Sequence, residues 1–157
     1  MEKRIAVFAG SFDPFTIGHE SIARRALPLF DKLIIAIGVN SSKKYMYSLE
    51  QRLQWIRDTF AGEEKTEVCA FEGLTVDFCK MNQARFILRG LRTTADFEFE
   101  KAVAQMNRAL SHELESIFIL PLPEHSAINS TIIRDIVRNG GNASAFVPSC
   151  VDLTKKS

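Results

Sequence analysis

GSFDPFTIGH, residues 10–19, joins an apolar run to a helical pattern and decides how the chain folds. Residues 4–9 upstream are too few for a helix and are rich in residues that suit a buried, pleated surface, so they predict an interior strand. Downstream, apolar residues recur at helical spacing, which predicts a helix. The residues between are therefore a strand-to-helix connection at the carboxyl end of a strand, where open α/β sheets bind their ligands.

This connection has the chemistry of a phosphate site. Gly10 and Gly18 let a ligand approach the backbone closely, and Pro14 stiffens the turn. His19 falls in the first turn of the helix, where free amide groups favour an anion. The stretch matches neither the dinucleotide fingerprint nor the P-loop pattern, so a turn without a ligand is the alternative. The segment TIGH, 16–19, favours the phosphate site, because it resembles the (T/H)xGH motif of the nucleotidylyltransferase superfamily.

The rest of the chain alternates apolar runs with helical patterns. The run at 33–39 is almost continuously apolar, which is typical of a strand covered on both faces. Alternation of this kind predicts a parallel sheet with right-handed crossovers. We expect a single-domain, Rossmann-like, doubly wound α/β fold with a five-stranded parallel sheet flanked by helices. The predicted strands are 4–9, 33–39, 66–71, 85–89 and 116–120, and the helices begin near His19, Ser48, Leu74, Thr94 and Ser130.

The sequence also predicts helix caps, the extent of the domain and the inward face of one helix. Ser48 and Gln51 form a capping-box pattern, and Ser130 is expected to cap the last helix. We assign residues 1–157 to one domain, in which residues from about 142 onwards form a C-terminal helical appendage. The helix from Thr94 is expected to turn four apolar side chains inward, namely Phe97, Val103, Met106 and Leu110.

Composition predicts an ordinary globular protein. The chain has 157 residues, 46% hydrophobic and 25% charged, with a net charge of +1. That charge gives no global field favouring nucleic acid or a membrane, so any phosphate site must be local. Cys69, Cys79 and Cys150 are odd in number without CxxC spacing, and the N-terminus lacks a signal-peptide run, which indicates the cytoplasm. The histidines are too far apart to predict a permanent metal site.

A second polar cluster follows the strand at 85–89. Arg89 and Arg92 flank a glycine and a leucine, and two arginine forks can share the charge of a di- or triphosphate. Asp96 and Glu100 follow one helical turn apart. The alternative is a pair of surface ion pairs, which would contribute little to stability.

The polar loop SSKK, 41–44, follows the strand at 33–39. Lys43 should therefore face the same crevice as His19, because the carboxyl ends of parallel strands meet at one edge of the sheet. The alternative is a solvated lysine that contacts no ligand.

Together these motifs resemble the phosphopantetheine adenylyltransferase family over roughly residues 4–138. The resemblance rests on GSFDPFTIGH, SSKK ahead of LEQR, RGLRTTADFEFE, and MNRAL followed by LESIFILP. It implies transfer of the adenylyl group of ATP to the phosphate of 4′-phosphopantetheine, giving dephospho-coenzyme A and pyrophosphate. The reaction would be reversible and without a covalent enzyme intermediate. The resemblance also implies Mg²⁺ carried with ATP, a homohexamer, and coenzyme A as a feedback inhibitor.

The resemblance assigns roles to individual residues. The catalytic residues would be His19, Lys43 and Arg92, and no residue would be a metal ligand. The phosphopantetheine-binding residues would be Ser11, Lys43, Thr75 and Arg89. The ATP-binding residues would be Ser11, Phe12, His19, Gly90, Leu91, Arg92, Glu100, His125, Ser126, Ala127, Ile128, Asn129, Ser130 and Thr131.

Three residues depart from the family pattern, which more often has threonine at Ser11, tryptophan at His125 and a hydroxyl residue at Asn129. Two rival functions stay open. One is a related adenylyl- or cytidylyltransferase acting on nicotinamide mononucleotide or an alcohol phosphate, which should lack the pairing of Lys43 with Arg89. The other is a nucleotide sensor without turnover. His19 itself could be a packing or capping residue instead of a donor to the reacting phosphate.

Overall fold

The structure, a computed structural model, describes residues 1–155. Strands and helices alternate along this part of the chain, as the sequence pattern predicts. The elements are β1 (Ile5–Gly10), α1 (Ile17–Ala26), β2 (Lys32–Gly38), α2 (Leu49–Thr59), β3 (Thr66–Phe71), α3 (Thr75–Met81), β4 (Phe86–Gly90), α4 (Thr94–Leu110), β5 (Glu115–Ile119) and α5 (Ser130–Arg138). Three 3₁₀ turns accompany them, at Leu27–Leu29, Pro123–His125 and Ser144–Phe146.

The five strands form one parallel sheet in the order β3-β2-β1-β4-β5, which confirms the predicted fold class. β1 lies at the centre, and Ala6 and Val7 within it are fully buried because helices cover both faces. The chain runs outward from β1 through β2 and β3, then returns to pair β4 with the other side of β1. Such a reversal opens a crevice at the carboxyl ends of β1 and β4.

Close helix packing fixes the shape of that crevice. α1 lies against β4, and any side chain at Gly90 would come within 2.5 Å of Ile22 Cδ1. α1 ends at Ala26 ahead of Pro28, and α2 begins with the predicted capping box of Ser48 and Gln51. The helices therefore hold the strand ends, and the loops that follow them, at fixed positions.

The C-terminal segment differs from its prediction. Among the described residues after 142, the helical content is one 3₁₀ turn at Ser144–Phe146, so the expected helical appendage is wrong, and residues 156 and 157 lie outside the described part. The segment instead packs Val147, Val151 and Leu153 into a small core with Tyr47 and Trp55. These apolar residues pack against side chains of α2 and α5, among them Trp55 and Ile133.

The cap of α5 is also corrected. Asn129, not Ser130, is the N-cap, and its Oδ1 accepts a hydrogen bond from the backbone N–H of Ile132 at 2.8 Å. Ser130 is the first helical residue, and its Oγ donates to the carbonyl of Pro14 at 2.8 Å. Asn and Ser are nearly equal as caps, so two such residues in succession leave the boundary ambiguous in sequence.

The packing predicted for α4 is wrong. Its four apolar residues expected to face inward are exposed, and its one buried residue is Glu100. Phe99, Val103, Met106 and Leu110 share one face of the helix, with exposures from 37% at Val103 to 68% at Phe99. An exposed apolar face of this kind is typical of an interaction surface, and the described residues of this chain do not cover it.

Candidate active site

A cleft of about 470 Å³ lies at the carboxyl ends of β1, β2, β4 and β5. Most of the predicted site residues line it, and they come from four separate loops. These are Ser11, Phe12, His19, Lys43, Arg89, Gly90, Arg92, Glu100, His125, Ile128, Asn129, Ser130 and Thr131. The sequence motifs therefore meet in space, although they are spread over 121 positions, from 11 to 131.

Four predicted residues lie outside the lining of this cleft. Leu91 is buried, and its N–H donates to the carbonyl of Ile119 at 3.1 Å. Thr75 begins α3 after β3, at the same edge of the sheet but beyond β2. Ser126 and Ala127 are exposed next to the 3₁₀ turn, where Ser126 Oγ donates to the carbonyl of Pro123. The predicted ATP and acceptor roles of these four residues have no direct geometric support.

His19 is held in one orientation by the start of α1. Nδ1 of His19 accepts a hydrogen bond from the backbone N–H of Thr16 at 3.0 Å. The backbone N–H of His19 donates to Thr16 Oγ1 at 3.2 Å. This is a capping box in which histidine takes the place usually held by Glu or Gln. Because Nδ1 is an acceptor, the proton of the neutral ring lies on Nε2. His19 therefore contributes an N–H donor to the cleft that it lines.

The surroundings keep that ring neutral. His19 is half-buried, its ring stacks on Phe15 with centroids 5.3 Å apart, and Phe8 and Phe12 contact it edge-on. Desolvation is the largest cause that lowers the pKa of His19 from 6.5 to about 3, followed by the positive charges of Arg92 and Arg89. A ring with so low a pKa is a hydrogen-bond donor at neutral pH and not a cation.

Phe12 shapes the base of the cleft at a conformational cost. Its backbone has a φ of 47°, which is unusual for a residue with a bulky side chain. Its ring is buried and contacts Phe8, Phe15 and His19. Strained backbone of this kind typically persists at functional sites, where the surrounding structure holds it in place.

Ser11 and Lys43 meet across two loops, as the sequence predicts. Lys43 Nζ donates to Ser11 Oγ at 3.3 Å, although the residues lie on the loops after β2 and β1 respectively. Lys43 is otherwise exposed. An ammonium and a hydroxyl at this separation can both contact one phosphate group.

Arg89, near the end of β4, and Arg92, in the loop after it, differ in how they are held. Glu100 accepts from Arg89 through both carboxylate oxygens, at 2.6 and 3.0 Å, and Arg89 also donates to the carbonyl of Ala9 at 2.8 Å. The side chain of Arg92 is about as exposed as that of Arg89, but its Nε lies 3.5 Å from a carboxylate oxygen of Asp96. Arg89 is thus fixed in place, whereas Arg92 has only a weak ion pair.

The opposite wall of the cleft is the 3₁₀ turn and the start of α5. Asn129, Ser130 and Thr131 present the N-terminal end of α5 to the cleft, where backbone N–H groups and the helix dipole favour an anion. In the 3₁₀ turn, Nδ1 of His125 is buried and has no hydrogen-bond partner within the described residues. This half of the cleft is suited to a negatively charged ligand.

Sequence reasoning assigned no role to three residues that hold these loops. Asp13 and Arg52 are both 3% exposed, and Arg134 donates to the carbonyl of Asp13 at 2.7 Å. Asp13 lies inside the GSFDPFTIGH stretch. An acidic residue is unexpected in a loop that binds phosphate, so its presence there could have indicated a role in holding the loop. Arg52 and Arg134 carry no such signal, because charged residues on amphipathic helices are usually solvated.

The described residues contain neither a cluster of metal-ligating side chains nor a helix suited to a membrane. Within residues 1–155, His, Cys, Asp and Glu side chains form no group of three that could hold a metal ion. None of the helices described is long and apolar enough to cross a bilayer.

The fold and the cleft are those of a nucleotidyltransferase, and comparison with known proteins agrees. The cytidylyltransferase-like family model matches residues 7–136. Two solved structures share the fold. A bifunctional NMN adenylyltransferase/ADP ribose pyrophosphatase from Francisella tularensis has a TM-score of 0.71 at 21% identity, over 99% of this chain and 47% of that one. A putative nicotinate-nucleotide adenylyltransferase from Vibrio parahaemolyticus has a TM-score of 0.64 at 19% identity, over 94% and 96%.

Curated relatives are much more similar in sequence. The phosphopantetheine adenylyltransferase of Flavobacterium psychrophilum is 56% identical over 94% of this chain and 97% of its own length. The protein of the same name from Leptospira biflexa is 47% identical over 98% of both chains. The chain belongs to the phosphopantetheine adenylyltransferase family.

Proposed function

We propose that the protein transfers the adenylyl group of ATP to the phosphate of 4′-phosphopantetheine, giving dephospho-coenzyme A and pyrophosphate. The observation that carries the proposal is the meeting of Ser11, Lys43 and Arg89 with His19 and Arg92 in one cleft. Two cationic groups and a hydroxyl on one side suit a phosphate-bearing acceptor. The neutral donor and the second arginine suit the phosphates of ATP.

The chemistry needs alignment and charge stabilisation, not a covalent nucleophile. An oxygen of the acceptor phosphate attacks the α-phosphorus of ATP, a new P–O bond forms, and the bond to the β-phosphate oxygen breaks as pyrophosphate leaves. Negative charge builds up on the α-phosphate oxygens during this step. The Nε2–H of His19 would donate to one of them, while Lys43 and Arg92 would neutralise the acceptor and the leaving group.

Mg²⁺ enters with ATP as part of the substrate. The carboxylates that line the cleft are Asp13, Asp96 and Glu100, and each already accepts hydrogen bonds from backbone N–H groups or an arginine. This donor set fits an ion that is bound through substrate phosphates and waters and not by a cage of side chains. Full chelation of divalent ions should therefore abolish turnover, and unchanged turnover would contradict it.

The assay that tests the function compares acceptors. The protein is mixed with ATP, Mg²⁺ and one of phosphopantetheine, nicotinamide mononucleotide or glycerol 3-phosphate, and pyrophosphate is followed. We expect release with phosphopantetheine alone. Equal release with another acceptor would refute the assignment, and no release with any would favour a sensor. A His19→Ala preparation is the control for contaminating enzymes.

The exposed face of α4 supports self-association. A stripe of four large apolar side chains on one helix is more than a single copy normally leaves in water. We propose that copies of this chain cover it in the homohexamer that the family resemblance implies. Light scattering at assay concentration should give six copies, and a monomer would contradict the proposal.

Two further proposals concern regulation and location. Coenzyme A contains the product, so it should compete for the same cleft as a feedback inhibitor, and failure to displace ATP or phosphopantetheine would contradict this. The three cysteines, Cys69, Cys79 and Cys150, are all free thiols. Free thiols are typical of a reducing compartment, which supports a cytoplasmic location.

A further inference from the structure

Two buried charged residues join the loop after β1 to the loop after β2. Asp13 belongs to the first loop, and Arg52 belongs to α2, which follows the second loop. Both are 3% exposed. Buried charges are costly unless they are paired and hydrogen-bonded, so their contacts explain why they are tolerated here. We call these two residues the brace.

Asp13 holds the second loop through its backbone. Its two carboxylate oxygens accept the N–H groups of Met46 and Tyr47, at 2.8 and 3.0 Å. Hydrogen bonds to a charged carboxylate are stronger than those between neutral groups. The carbonyl of Asp13 in turn accepts from Arg134, which ties the first loop to α5 as well.

Arg52 binds both loops in the opposite direction. Its Nη1 donates to the carbonyl of Ser11 at 2.7 Å, and its Nε donates to the carbonyl of Tyr47 at 3.0 Å. Burial lowers the pKa of Arg52, while the charge of Asp13 and the ring of Tyr45 act in the opposite direction. The brace therefore makes four hydrogen bonds to the backbone of the two loops, and three of them cross from one loop to the other.

The ring of Tyr45 extends the brace to Lys43. The guanidinium of Arg52 lies 4.2 Å from the centroid of this ring, and Nζ of Lys43 lies 5.5 Å from the same centroid. Cations attract the faces of aromatic rings at such distances. A fixed Arg52 thus fixes Tyr45, and Tyr45 restricts Lys43 opposite Ser11.

We propose that Asp13 and Arg52 are positioning residues that set the separation of Ser11 and Lys43 and thereby the affinity for the phosphate of the acceptor. This inference rests on the proposed function, because it names the acceptor side of the same cleft. The hydrogen bonds of both side chains go to the backbone of the two loops. Each acts through the backbone of Ser11, Met46 or Tyr47, and the ammonium group of Lys43 contacts Ser11 and the ring of Tyr45.

Steady-state kinetics of Asp13→Asn, Arg52→Gln and Arg52→Lys test the brace. Asparagine leaves one acceptor oxygen and turns an NH₂ group toward the other backbone N–H. A shift of about 1 Å at a reacting group can cost up to about 100-fold. We expect the KM for phosphopantetheine to rise about 10- to 100-fold in Asp13→Asn and Arg52→Gln, with the KM for ATP within about threefold. Arg52→Lys, which keeps the charge, should recover part of the loss.

Tyr47→Phe is the matched control. It removes the hydrogen bond from the Tyr47 hydroxyl to the carbonyl of Leu153, at 2.9 Å, in the same buried region, but leaves the backbone of Tyr47 in the brace. We expect it to lower the melting temperature without changing the KM for phosphopantetheine. If the brace variants also lose only melting temperature, Asp13 and Arg52 are merely structural and the proposal is wrong.

Hydrogen exchange gives a readout that needs no substrate. Exchange in peptides covering residues 40–47 should be faster in Asp13→Asn and Arg52→Gln than in the wild type or Tyr47→Phe, while exchange in the sheet stays the same. Unchanged exchange at 40–47 would refute the loop contact. A wild type that is inert toward phosphopantetheine would refute the proposed function and the acceptor part of this inference, and exchange would still decide whether the brace holds the loop.

Discussion

The cleft and the outer face of α4 reverse the usual distribution of side chains. In the cleft, Asp13, Thr16 and Glu100 are buried although they are polar, whereas on α4 large apolar residues such as Phe99 and Met106 are exposed. Buried polar groups need partners, and exposed apolar faces need cover. In the cleft those partners lie within the chain, as in the pairing of Glu100 with Arg89. On α4 the described residues provide no cover for the apolar face.

The two regions also differ in how completely the chain satisfies its own groups. Around the cleft, most buried polar groups already have partners in the chain, so the site is formed before a ligand arrives. On α4, the apolar face has no cover among the described residues, and its Glu100 contributes to the cleft through Arg89. We expect ligand binding to change the first region little, and assembly to change the exposure of the second greatly.

The largest expected effect is that of His19→Ala on turnover. The ring N–H would donate to an α-phosphate oxygen as negative charge develops there. Removing one such preorganised donor costs about 100- to 1000-fold in turnover, or about 3 to 4 kcal/mol. The variant should fold and bind ATP within about tenfold of the wild type, because the donor acts mainly in the transition state. Single-turnover rates and equilibrium ATP binding measure the two quantities separately.

A different outcome would return His19 to a structural role. His19 also accepts the N–H of Thr16 in the capping box of α1, so its removal has a structural cost. His19→Asn, which can retain part of that cap, is the comparison variant. If both variants melt far below the wild type, or if the defect lies wholly in the KM for ATP, the ring holds the loop and not the transition state.

Next in size is the effect of a charge on the exposed face of α4. Phe99→Glu would bury a carboxylate against an apolar surface of another copy, at a cost of about 2 kcal/mol or more per contact, roughly 30-fold in association. We expect light scattering to show smaller assemblies. Gln105→Glu adds the same charge on the opposite side of the helix and should leave the assembly intact. Equal behaviour of the two variants would mean that this face is not the interface.

A smaller effect is the acid sensitivity of His19. The pKa of the ring is about 3 in the folded protein and 6.5 in the unfolded chain. Between these values the unfolded state holds a proton that the folded state lacks, so stability is full above pH 6.5 and falls as the pH drops toward 3. The loss between pH 7 and 5 should be roughly 2 kcal/mol from this residue alone.

Urea unfolding at pH 7 and pH 5 measures that loss, and His19→Gln is the reference because it lacks the titrating ring. Between pH 7 and pH 5 the free energy of unfolding should fall more in the wild type than in the variant. This comparison does not depend on any difference in stability between the two proteins at pH 7. The turnover of the wild type should show no decline near pH 6.5 attributable to His19. Parallel losses of stability in both proteins would mean that the ring titrates normally.

The sequence predicts the strands and the cleft well for a physical reason. Buried parallel strands must be almost continuously apolar, as at 33–39, and their carboxyl ends must meet at one edge, which brings Lys43 to Ser11. The polar residues of the motifs therefore lie close together because the sheet topology brings their loops to one edge. The edge of the sheet at which each loop lies follows from the strand order and direction, and it does not depend on how individual side chains pack.

The remaining features depend on contacts that sequence spacing does not contain. The helical period of α4 indicates an apolar face but not what covers it, so its residues were expected to pack inward. The bonds of Asp13 and Arg52 join residues 33 to 41 positions apart, and they depend on how two loops meet after folding. Asn129 and Ser130 are adjacent and equally good caps, so only the structure decides between them.

The smallest expected effect comes from that cap, and it separates polar groups that serve the fold from those that serve a ligand. Asn129 accepts the N–H of Ile132 through its side chain, so Asn129→Ala should lower the free energy of unfolding by about 1 kcal/mol, whereas Asn129→Ser should cost only a few tenths. Denaturant unfolding at neutral pH measures both changes. If Asn129→Ala is as stable as the wild type, the cap does not hold in solution. In that case Asn129 would serve to bind a ligand at the cleft wall. The presence of asparagine where the family more often has a hydroxyl residue would then be explained by ATP binding and not by helix stability.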